Sequence, residues 1–225
     1  MSISPPTKPW TLERQKRYRF SDCTLIDPKD GGVHEHVTLD LENGLIHRMT
    51  KLSQWPSPSD EVLGWTRGDD ITIIDMAGKY VMPGLIDCHV HLATPPGETG
   101  LRDTMNQDPN TSLLRQPYLA REMLKRGFTS VRDCGGAGVA LKEALEEGLF
   151  VGPRLFISGH GISQTGGHGD LRGSKDEEYA CCGANTRGLG RVADGVEQCL
   201  FAAREELRQG ADFIKMCVLY KIVLV

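Results

Sequence analysis

The sequence predicts an α/β chain: an incomplete (β/α)₈ barrel of about four βα units, preceded by a small β-sheet segment. Three observations carry this. Short alternating strands with turn signals run from Tyr18 to Asp75. After Gly78 the rhythm changes to strand, loop and amphipathic helix. His89, His91, Asp133, His160 and Lys215 then all fall at or just past the C-terminal ends of apolar strands. Repeated βα units argue for a parallel sheet covered by helices. Strand ends that converge on one mouth favour a barrel, and no dinucleotide fingerprint follows the first strand to support a doubly wound sheet.

In the first region Tyr18 to Ile26 reads as a strand, and Val33 to Leu41 places Val37, Leu39 and Leu41 on one face. Asn43-Gly44 is a type I′ hairpin signal leading into Leu45 to Leu52. A Ser/Pro-rich loop, Ser53 to Ser59, precedes the strand Ile71 to Asp75. In the second region Tyr80 to Ile86 is one apolar run ending at Asp87. Helices are expected around Gln116 to Arg126, over Val139 to Glu147 and over Arg191 to Gln209. The last carries an apolar stripe of Val192, Val196, Cys199, Leu200, Ala203 and Leu207. Strands are expected at Phe128 to Arg132, Pro153 to Ser158 and Ala211 to Cys217, with a glycine-rich loop from Gly159 to Gly173.

The chain has 225 residues, 39% hydrophobic and 25% charged, an ordinary globular composition. A net charge of -4 and a pI near 6.0 count against nucleic acid as a main partner and point to a small-molecule ligand. The seven cysteines are odd in number and form no C-x-x-C pair, so a reducing, cytoplasmic setting is expected. The polar start, Met1 to Trp10, lacks a secretory signal. The basic run Arg14, Lys16, Arg17, Arg19 reads as a solvated lead into the first strand. The apolar end from Cys217 to Val225 is far shorter than the ~20 residues of a membrane span.

The chemistry concentrates in Val81-Met82-Pro83-Gly84-Leu85-Ile86-Asp87-Cys88-His89-Val90-His91. Residues i and i+2 of a strand share a face, so two imidazoles aim at one point, which suits a borderline cation such as Zn²⁺. The chain holds its own control: His34 and His36 have the same spacing, but in a polar strand with no apolar lead-in, and are read as structural. Lys215 ends the apolar stretch Phe213-Ile214. Burial of an ammonium favours the neutral amine, which can add CO₂ and become a carboxylate-like carbamate. The loop Gly159 to Gly173 offers His160, His168 and Asp170 among glycines that allow close approach to a ligand. Asp133 is read either as part of the site or as a helix cap near Gly135.

The Pro-Gly turn, apolar run, Asp and His-x-His resemble the amidohydrolase superfamily, over roughly Ile73 to Cys217. The resemblance implies that residues 1–77 are part of an N-terminal β-sandwich and residues 78–217 the first half of the barrel. Residues 218–225 form a tail that departs from the pattern. It implies a metal site, Zn²⁺ and binuclear in the intact enzyme, with His89 and His91 on one ion and carbamylated Lys215 bridging to the second. It also implies that His160 and His168 contact substrate. The lysine fits the prolidase- and ochratoxinase-like branch and argues against mononuclear deaminases.

The implied reaction is hydrolysis of an amide or dipeptide-like C–N bond by a metal-activated water, with a cyclic-amide hydrolase or deaminase as the enzyme alternative. A complete site of this kind has two further histidines and a proton-transferring aspartate. After Lys215 the sequence holds no histidine and no aspartate, so no catalytic general base is assigned. The stretch from Gly84 onward is also short of the ~250 residues of a full barrel. The expectation is therefore a truncated chain of little or no activity, with dimerisation one way to cover its open edges.

Overall fold

The computed structural model describes residues 8–10, 17–51, 71–94, 108–170, 172 and 189–218. The Ser53 to Ser59 loop, residues 14 and 16 of the basic run, Gly173 and the tail from Leu219 lie outside them. The chain divides into two compact units, residues 12–83 and residues 84–225, and residues 8–10 group with the latter, where Trp10 Nε1 donates to Glu147 at 3.3 Å.

The first unit is a five-stranded sheet. β1 (Arg17–Asp27), β2 (Gly32–Glu42) and β3 (Leu45–Lys51) form an antiparallel meander. β4 (Ile71–Asp75) and β5 (Tyr80–Val81) run parallel to β1. Asn43 and Gly44 both take positive φ, 53° and 74°, as the two central residues of a type I′ turn must. Cys23, Leu25, Val37 and Leu39 form the core. Arg19 donates to Asp40 at 2.6 and 3.2 Å, and Arg17 to Glu42 at 2.9 Å, so both arginines belong to β1 and its pairing with β2.

The second unit is built on parallel strands. β6 (Leu85–Val90), β7 (Phe128–Asp133) and β8 (Arg154–Ile157) lie side by side in that order. β9 (Gly161–Ser163) pairs in parallel with β10 (Gly190–Val192) on one side and β11 (Met216–Cys217) on the other. The backbone N–H of Asp212 donates to Ile157 at 2.8 Å, which brings the approach to β11 alongside the end of β8. Among the described residues three helices follow the strands: α1 (Pro109–Lys125), α2 (Val139–Glu146) and α3 (Gly195–Arg208). Leu92, Val131, Ala137, Leu141, Leu155 and Ile157 pack between strands and helices. A second cluster joins Ile162 and Ala193 to Ala202 of α3.

Four local expectations are corrected. The apolar run from Tyr80 is split by Pro83-Gly84: Tyr80–Val81 completes the first sheet and Leu85 begins the second. α1 starts about two turns earlier than Gln116, because the Asp108 carboxylate caps Asn110 and Thr111 at 3.0 Å and Pro109 suits a first helical position. The glycine-rich loop contains β9, and Arg191 and Val192 lie on β10 rather than on a helix. Finally, only the Cys199 and Ala203 part of the apolar stripe packs inward on α3. Ala202 and Glu206 are buried, with Cys199 and Ala203 beside them, while Val196, Leu200 and Leu207 are exposed.

Candidate metal and substrate site

β6 brings His89 to its last turn of backbone, and His91 follows one residue past the strand. Their rings lie 5.2 Å apart between centroids and nearly edge to face. The Nδ1–H of His91 is placed to donate to the Gly135 carbonyl at 3.0 Å, which leaves Nε2 with its lone pair. His89 is held below the ordinary imidazole value, first by desolvation and then by the charges of Lys215, His91 and Arg132. Since His89 keeps solvent access, the charge contribution is screened. Imidazoles that keep a free ring nitrogen fit a divalent cation, which binds only the deprotonated ring.

Asp133, at the end of β7, is fully buried and accepts three backbone hydrogen bonds: from Leu92 at 2.7 Å, Gly135 at 2.9 Å and Ala137 at 3.2 Å. Burial raises its pKa against the lowering effect of those bonds. It is not a helix cap, because the N-cap of α2 is Gly138 and carries no side-chain bond. It instead ties the backbone next to His91 to Gly135, whose carbonyl meets the His91 ring. Sequence spacing alone did not reveal that link.

Lys215 is half-buried just before β11, and its carbonyl accepts from Ile162 at 2.8 Å. Its stem crosses Gly161 of β9, where an added Cβ would lie 3.3 Å from Lys215 Cγ. His160, just past β8, is half-buried. Its backbone N–H and its Nδ1 approach Glu206 Oε2 at 3.1 and 3.3 Å. His168 is exposed, between Gly167 and Gly169, both of which pack on Ser163. Asp170 anchors this turn through Gly166 at 2.9 Å and both arms of Arg172 at 2.7 Å; Arg172 first of all holds its carboxyl well below the usual range.

A cavity of about 470 Å³ opens beside His160, lined also by Thr94, Ser112, Gln116, Ala137 and Glu206. Glu206 and Gln116 were not singled out from sequence. The signal available was a lone acid on the small-residue face of α3, with Cys199, Ala202 and Ala203.

In the first unit His36 Nδ1 meets Asp22 at 2.7 Å, while the ligand atoms of His34, Asp27 and Asp30 lie within 4.8 Å of one another. These two acids already accept backbone bonds, from Lys29 at 2.9 Å and Gly32 at 2.6 Å.

The amidohydrolase family profile matches residues 80–219, which include every residue of the second unit discussed above. The chain belongs to the amidohydrolase family. Ochratoxinase of Aspergillus niger is 36% identical over 152 residues, 60% of this chain and 30% of ochratoxinase. The dihydroorotase of Pelobacter propionicus is 38% identical over 71 residues, 32% of this chain and 14% of that protein. Among solved structures, a prolidase complexed with N-methylphosphonate-L-proline superposes with a TM-score of 0.75 at 37% identity, covering 89% of this chain and 46% of the prolidase. A. niger ochratoxinase itself gives 0.70 at 28% identity, covering 91% and 47%. This chain thus spans about half the length of the solved relatives it matches. No helix among the described residues is long and apolar enough to cross a membrane.

Proposed function

We propose that residues 78–217, most of which form the second unit, are the opening portion of a (β/α)₈ barrel whose mouth hydrolyses an amide or dipeptide-like C–N bond. The first unit is the N-terminal part of a β-sandwich. The observation that carries the reading is the convergence at one set of strand ends of the His89 and His91 rings, 5.2 Å apart, with Lys215 near enough for its charge to act on His89. His89 and His91 would hold a divalent ion, Zn²⁺ by donor type, and Lys215 as a carbamate would supply a bridging carboxylate to a second. A divalent ion held there would supply Lewis acidity toward a substrate carbonyl and toward water.

The chain's own residues set the geometry. Asp133 fixes the turn after β6, and Gly135 sets the His91 tautomer. His160 and His168 face the substrate. The prolidase and ochratoxinase relatives support an amide with an amino-acid-like half. The match to dihydroorotase favours a second reading, cyclic-amide hydrolysis.

The test supplies this chain, alone and extended to a full barrel, with Zn²⁺ and ¹³C-bicarbonate and assays L-alanyl-L-proline beside dihydroorotate, turnover being expected of the extended chain. A carbamate resonance lost in Lys215→Ala, together with dipeptide turnover reduced at least ~100-fold, is expected for a direct ligand. Turnover unaffected by Lys215→Ala would overturn the reading, and turnover of dihydroorotate alone would select the second.

A further inference from the structure

Glu206 is a buried acid, 2% exposed, that the proposed reaction does not use. A buried carboxylate is retained only when paired, and this one is paired on both oxygens. Oε1 accepts from Arg191 at 3.4 Å, and the Arg191 guanidinium lies 5.4 Å from the centre of the Phe201 ring. Oε2 meets both the backbone and the ring Nδ1 of His160. Gly159 is fitted to this arrangement: its φ is +67°, and a Cβ there would fall 2.2 Å from Oε2. Burial raises the Glu206 pKa, but the bonds from His160 and Arg191 outweigh it and leave the acid ionised. An ionised Glu206 takes the Nδ1–H of His160 and leaves Nε2 as an acceptor.

The same cavity holds a second acceptor. Gln116 is 3% exposed, and its Oε1 has no hydrogen-bond partner. Its amide orientation is fixed by Ser112. The Ser112 hydroxyl donates to the Ala93 carbonyl at 2.8 Å, so its oxygen can only accept from Gln116 Nε2, at 3.5 Å. Oε1 is the atom left over, and a buried acceptor without a donor is a standing cost that a ligand N–H removes.

We propose that this cavity is the subsite for the hydrogen-bond-donating end of the substrate, an amino or amide N–H group, received by His160 Nε2 and Gln116 Oε1, with Glu206 as the residue that positions His160. This rests on the hydrolase reading and adds a direction to it: the substrate's amino end, not its carboxylate, enters between α1, α2 and α3.

The test compares L-alanyl-L-proline with propionyl-L-proline, which lacks only the amino group, by calorimetric binding to the Zn²⁺-loaded protein. The amino compound is expected to bind at least ~10-fold more tightly, the worth of one to two good hydrogen bonds. Gln116→Leu should abolish most of that preference without lowering thermal stability, because it removes an unsatisfied acceptor. Glu206→Gln should reduce the preference and relax the His160 tautomer seen by ¹⁵N NMR. Should Glu206→Gln fail to fold, Gln116→Leu still decides. Equal affinity for the two compounds, or a preference that survives Gln116→Leu, overturns the subsite. If both compounds are hydrolysed with equal KM, the hydrolase reading stands and the subsite alone is wrong. If neither is bound or hydrolysed, both are wrong.

Discussion

Two His-x-His pairs of identical spacing sit in this molecule, and their surroundings send them in opposite directions. His34 and His36 lie in an antiparallel meander at an irregular stretch of pairing, where Asp22 and His36 both take positive φ, 51° and 52°. Asp22 bonds His36 and raises its pKa, so the ring tends toward the cation, the form that cannot bind a metal. His89 is pulled the other way, toward the neutral form. His91 is oriented by a carbonyl that Asp133 in turn holds in place. Spacing brings two rings together, but neighbours decide protonation and tautomer, and these make a ligand.

The largest effect that would break this contrast is at Asp133. Asp133→Asn turns an amide N–H toward one of three backbone donors, and we expect Zn²⁺ affinity to fall ~10–100-fold, the usual scale for a group that orients a ligand. Competition titration with a chelator reads this directly. Unchanged affinity in a folded variant would mean that the link from Asp133 through Gly135 to His91 is only structural.

A smaller effect sharpens the contrast through pH. In the metal-free chain, NMR titration should place His36 above the ordinary ~6.5 and His89 below it. The Asp22–His36 pair therefore adds stability below that ordinary value and loses it as pH rises through the folded value. The contribution of neutral His89 is present above the ordinary value and is lost as pH falls through the folded one. Asp22→Asn should return His36 toward 6.5 and leave His89 where it was. Movement of both would contradict the assignment of separate causes.

Legibility from sequence followed the range of the interactions. The His-x-His motif, the Asn43-Gly44 hairpin and α2 are local patterns, and the sequence locates all three. Glu206 was invisible because its partner His160 is 46 positions away, and nothing local distinguishes a buried acid from a solvated one on an amphipathic helix. β10 reads as the start of a helix because three residues carry no period, and only pairing with β9 makes them a strand. The exposure of Val196, Leu200 and Leu207 defeats the apolar-stripe rule, since the small face of α3 is the one that reaches the strands.

The central claim is that one pair binds metal and the other does not, and stoichiometry tests it most directly. The protein is loaded with Zn²⁺ and freed of excess, and its metal is counted beside two double variants. His34→Ala with His36→Ala should leave the count unaltered, even though Asp27, Asp30 and His34 have ligand atoms within 4.8 Å of one another. His89→Ala with His91→Ala should lose the bound ion. Metal lost from the first variant and kept by the second would contradict the account.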